Sequence, residues 1–106
     1  MAKYLVIGSY TAEGMQSVMS LGGTARQKAI EQAVSELGGR LESLHFAFGE
    51  DDVYAVVDLP TRVAAAAIGM AVGASGMARC RTVVLLTPEE IDEAAQLSLE
   101  YVPPGA

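Results

Sequence analysis

The stretch Arg40-Leu41-Glu42-Ser43-Leu44-His45-Phe46-Ala47-Phe48-Gly49-Glu50-Asp51-Asp52-Val53-Tyr54-Ala55-Val56-Val57-Asp58-Leu59 decides the fold. Both of its ends are apolar and alternating, and its middle is turn chemistry. It therefore reads as a hairpin, with a strand over 40–48, a turn at Gly49-Glu50-Asp51-Asp52 and a strand over 53–59. In the first strand Leu44, Phe46 and Phe48 share one face, while Leu41, Ser43, His45 and Ala47 share the other. The bulky row suits a sealed core, and the row of smaller side chains leaves room beside His45.

Upstream, Ile30, Ala33, Val34 and Leu37 fall on one helical face, with Arg26, Lys28, Glu31 and Glu36 left to water. Gly38-Gly39 ends that helix, and Thr24 is placed to cap its start. Gly22-Gly23 separates it from a shorter helical piece that Thr11 opens and whose stripe is Met15, Val18 and Met19. Before that, residues 3–10 form a short apolar strand.

Downstream, Pro60-Thr61 breaks the hairpin and caps a helix over 62–75, which Gly76 terminates. Residues 79–86 are a valine- and leucine-rich strand. Thr87-Pro88-Glu89-Glu90 then supplies an N-cap, a proline at the first helical position and a glutamate to close a capping box. Ile91, Ala94, Ala95 and Leu99 give this last helix its apolar face, and Pro103-Pro104 ends regular structure. The order β-α-β-β-α-β-α is the split βαβ pattern of an α+β, ferredoxin-like sandwich with an added C-terminal helix, as one domain over 1–106.

Composition narrows the function. The chain has 106 residues, 51% hydrophobic and 19% charged, which excludes a disordered chain. Seven basic against thirteen acidic residues give a net charge of −6, so no nucleic acid is expected as a partner. One cysteine excludes an intramolecular disulfide and a cysteine-based zinc site, and fits a reducing compartment. Met1-Ala2-Lys3 leads into an apolar run too short for a signal peptide. The uncharged run from Val63 to Ala78 falls short of the roughly 20 residues that span a bilayer. A cytoplasmic chain with no membrane partner is expected.

That same run carries no charge on any side, the pattern of a helix covered all round. Gly69 and Gly73 would let a neighbouring backbone approach, from the C-terminal helix or from another subunit. Both faces of the third and fourth strands are apolar as well, so the open sheet face needs a partner. A homo-oligomer with sheets packed face to face is expected.

The segments Leu37 to Ser43, Phe46 to Tyr54, Lys3 to Val6, Tyr10 to Gly14, Ala74 to Gly76 and Leu85 to Glu90 together resemble the GYD-domain family over nearly the whole chain. Gly49 and Asp52 match the glycine and aspartate of the family's Gly-Tyr-Asp motif, and Asp51 stands where its tyrosine is expected. The resemblance implies a fold of the dimeric α+β-barrel type and carries no catalytic residues with it.

Two functional classes remain. One is a small-molecule site in an apolar cavity, between sheet and helices or between paired sheets, with Tyr10, His45, Tyr54 and Arg81 as its polar groups and a small apolar or aromatic ligand. The other is a non-catalytic assembly or regulatory interaction protein. No cofactor is expected. No metal is expected either: three successive acids in a turn do not converge, and Asp52, with Gly49, reads as a structural turn residue bonding turn amides. Cys80 reads as an inert thiol, because Arg79 and Arg81 project from the opposite face of its strand. Gly69, Gly73 and Gly76 follow a helix rather than lead into one, so they make no phosphate loop.

Overall fold

A computed structural model describes residues 1–105, so Ala106 of the expected domain lies outside it. The elements are β1 (Ala2–Tyr10), α1 (Ala12–Leu21), α2 (Gly23–Glu36), β2 (Arg40–Phe46), β3 (Val53–Leu59), α3 (Arg62–Ser75), β4 (Ala78–Leu85) and α4 (Pro88–Gln96). The strands form one antiparallel sheet in the order β2-β3-β1-β4, which is the ferredoxin-like arrangement. No helix among the described residues is long and apolar enough to cross a membrane.

Alternation gives the sheet two distinct faces. Tyr4, Ala55, Val57 and Leu59 join Val34 of α2 and Ala64 of α3 in one buried cluster. Leu59 and Val57 are its most completely buried large side chains, and each contributes about 1.5–3 kcal/mol by leaving water. The opposite face carries no helix. Its rows follow from the register: Ser43, Val56, Leu5 and Val83 run across the four strands, and His45, Tyr54, Ile7 and Arg81 run beside them.

The alternation of β2 is broken once. Leu41 pairs with Val57 and Ser43 with Val56, so Glu42 occupies a bulge. The bulge turns Leu41 onto the helix face, away from Ser43 and His45, contrary to the simple odd–even reading. The strand also ends at Phe46, and Phe48 is fully exposed rather than part of the core.

Local capping explains most helix boundaries. Thr11, Thr61 and Thr87 each accept a hydrogen bond from the third backbone N–H beyond them, and Thr87 with Glu90 completes the capping box. The expectation for Thr24 does not hold, because α2 begins two residues earlier than that cap would place it. Gly22 at φ +88° is its N-cap, with no side-chain bond. That dihedral lies where only glycine is unstrained, so Gly22 also sets the corner between α1 and α2.

The C-terminal helix does not cover α3. Every residue of α4 is exposed, and Leu99, expected on its apolar face, lies beyond its end at Gln96. With residues 97–105 it forms an arm carrying exposed Ile91, Leu97, Leu99, Tyr101 and Val102. The radius of gyration is 16.8 Å, against about 13 Å for a compact domain of this length. In α3 only Ala64 is buried, so its small-residue surface is largely open in the single chain.

Candidate functional site

The helices do not cover the sheet evenly. α2 makes its sheet contacts chiefly with β2, and α3 chiefly with β4, the two outer strands. Val34 and Ala64 draw them together at one end, above Tyr4 and Leu59. Toward the other end they part, and a cleft of about 680 Å³ opens between α1–α2 and α3. That volume falls within the range of about 300–1,000 Å³ usual for small-molecule sites. Ala29 and Ile30 wall it on the α2 side, and Ile68, Ala71 and Val72 on the α3 side.

A deeper recess of about 90 Å³ reaches the sheet, floored by Val6, Gly8, Ala55 and Cys80. Gly8 keeps that floor low, since a Cβ there would sit 2.9 Å from the Val53 side chain. Burial pushes the Cys80 thiol above its ordinary pKa, which keeps it protonated at neutral pH. Its two arginine neighbours project from the open face, as alternation requires.

Of the four polar residues singled out in the sequence, only Tyr10 lines this cleft. His45, Tyr54 and Arg81 lie together in one row on the open face, on the far side of the sheet. The cleft brings in two residues that sequence reasoning assigned to water, Arg26 and Glu36. Arg26, in the second turn of α2, lines both the cleft and its recess beside Tyr10. Its spacing from Ile30, four residues on, places it beside the apolar stripe and was the available signal.

At the end of the sheet nearest the hairpin turn, two carboxylates are already in use. Asp51 accepts from the Ser9 hydroxyl at 2.9 Å and from Arg81 at 3.1 Å. Asp52 accepts from the Tyr10 backbone N–H at 2.8 Å, while its own N–H donates to the Gly8 carbonyl. Asp52 thus ties the turn to β1 rather than bonding amides of the turn itself, a correction to the expected partner. Asp51 ties the turn to both β1 and β4. No group of three or more His, Cys, Asp or Glu side chains with the geometry of a metal site occurs among the described residues.

At the opposite end Asp58 bonds Lys3 at 3.0 Å and Arg40 at 3.1 Å, and Lys3 also pairs with Glu42. These contacts set the acid stability. The Ser9 hydroxyl first and Arg81 second hold the Asp51 carboxyl below its ordinary value, and Lys3 above all does the same for Asp58. A lowered folded pKa contributes stability above the unfolded value, near 3.9, that is lost as pH falls through the folded one. The melting temperature should therefore hold from about pH 5 to 7 and fall below about pH 4. Asp51→Asn and Asp58→Asn should each flatten that acid limb. Lys3, raised by Glu42 and then Asp58, behaves in mirror image, its contribution being lost only in strong alkali above its ordinary value.

Comparison with known proteins found no match among curated proteins and none among solved structures. The model of the GYD domain matches residues 4–95, which takes in all but the first two residues of the sheet, the cleft and nearly all of α4. With the split βαβ topology and the Gly49–Asp52 hairpin turn in place, the chain belongs to the GYD-domain family.

Proposed function

We propose that the protein binds a small apolar or aromatic molecule in the cleft between α2 and α3. The observation that carries this reading is the parting of the two helices over the central strands, which leaves an apolar space of ligand size above the sheet. The walls are mostly aliphatic, and the polar side chains among them, Tyr10, Ser17, Arg26, Glu36 and Ser75, are few enough to orient a ligand. Burial in such a space needs no resident cofactor. A thermal-shift screen of small aromatic and aliphatic compounds tests it. Hits should lose their effect in Val72→Phe, which fills the cleft from the α3 side, and persistence of the effect there would place binding elsewhere.

A second reading concerns assembly, and the open face favours it. Leu5, Tyr54, Val56 and Val83 form an apolar centre on that face around Ile7, which is already buried within the single chain. Polar groups flank it at both ends, Lys3, Asp58 and Arg40 at one and Ser9, Asp51 and Arg81 at the other. An apolar centre within a polar rim is the anatomy of a protein interface. We read the face as the surface on which a second copy packs, with His45, Tyr54 and Arg81 between the paired sheets.

A further inference from the structure

We infer that the ligand of the cleft is a monocarboxylate with an apolar body, its carboxylate held by Arg26 and Tyr10 and its body in the recess above Gly8. The inference rests on the cleft being the binding site and adds the chemical class that the site selects.

Charge decides the class. Arg26 is the charged residue that lines both the cleft and the recess. Lys3, Arg40 and Arg81 are each committed to carboxylates, whereas Arg26 makes no ion pair among the described residues. The first turn of α2 carries no acidic side chain to neutralise it. The other charged residue in the cleft wall is Glu36, ten residues further along α2 and so about 15 Å away. The cleft is thus cationic at the Arg26 end and acidic at the other, which orients an amphipathic anion with its head at Arg26.

Shape and hydrogen bonding select among anions. A guanidinium presents two parallel N–H donors that match the two oxygens of a carboxylate. The Tyr10 side chain makes no hydrogen bond among the described residues, so its hydroxyl has a donor to offer the same head group. The recess beyond is lined by Val6, Ala55, Val57, Ile68 and Val72 and admits only an apolar body. A doubly charged or polyhydroxylated ligand would leave polar groups unpaired against these walls.

Decanoate and decanol, which share one chain and differ in the head group, test the inference by calorimetric titration of the full chain. Decanoate should bind the wild type at least tenfold more tightly, since a charge-assisted hydrogen bond is worth about 1.5 kcal/mol or more and 1.4 kcal/mol is tenfold. Arg26→Ala should remove that preference while leaving decanol within about twofold, and Tyr10→Phe should cost decanoate roughly threefold. Glu36→Gln should leave the preference intact. Val72→Phe, or Ala29→Trp if the former fails to fold, should abolish binding of both probes.

Equal affinity of the wild type for the two probes would overturn the inference and leave the cleft reading standing. Binding of neither probe, or binding unchanged by the blocking variants, would overturn both. Binding that appears only after residues 97–106 are removed would mean that the C-terminal arm of a second copy fills the cleft, and would likewise overturn the inference.

Discussion

Gly14→Ala should lower the melting temperature by about 10–20 °C, a net loss of about 2–3 kcal/mol for a chain of this size. The expectation runs against helix propensity, which favours alanine by about 1 kcal/mol in a helix interior. Gly14 sits in the first turn of α1, buried against the start of β4, and a Cβ there would run into the Met77 carbonyl. Backbone cannot swing aside as a long side chain can, because Met77 is itself pinned: its carbonyl accepts from the Thr11 N–H at 2.9 Å. Gly73 in α3 is the internal control. Nothing lies within 4 Å of a Cβ built there, so Gly73→Ala should stabilise by about 0.5–1 kcal/mol. Thermal unfolding of the two variants should shift in opposite directions. A loss at Gly73 would instead mean that a second copy lies against α3.

On the proposal that a second copy packs on the open face, Val56→Asp should leave only a species sedimenting at 11.0 kDa. Val56 lies at the middle of the open face, in the row with Ser43, Leu5 and Val83. Where two sheets pack there, the new carboxylate would be desolvated among apolar side chains, at a cost of several kcal/mol. At about 1.4 kcal/mol per tenfold, association weakens by roughly a thousandfold, and a two-fold axis would count the penalty in both copies. The fold itself should survive, because the residue points away from the cluster around Leu59 and Val57. Far-UV circular dichroism should therefore stay unchanged while the sedimenting mass falls. A wild type that already sediments at 11.0 kDa would remove the assembly reading.

The elements that local chemistry determines were legible in the sequence. Thr87-Pro88-Glu89-Glu90 begins a helix because its side chains bond its own backbone, and Gly76 ends one because it reaches φ +73° without strain. The hairpin was legible for a similar reason, since a period of two and a turn are local properties. The bulge at Glu42 was not, because it exists only in the pairing of β2 with β3, and it carries Leu41 to the other face. The cleft escaped for a deeper reason. Its existence depends on which strand each helix lies over, a relation between elements far apart in the chain. Arg26 accordingly looked like one more solvated charge on α2, although it lines the same cleft and recess as Val72 of α3.

The arm that stands away from the body also divides the charge of the molecule. Glu89, Glu90, Asp92, Glu93 and Glu100 follow Leu86, and all seven basic residues precede it. Of the net charge of −6, five units therefore belong to the arm, and the sheet with its covering helices is left with seven basic and eight acidic residues, close to neutral. Proteins near zero net charge lose the mutual repulsion that keeps them dispersed. A sheet with an apolar open face is the kind of surface for which that repulsion matters most. The arm is thus a tethered polyanion: were copies to meet through their apolar faces, the like charge it holds in solvent would be a repulsion they first had to overcome. Because that repulsion is screened within about 8 Å at physiological ionic strength, raising the salt concentration would ease any such association.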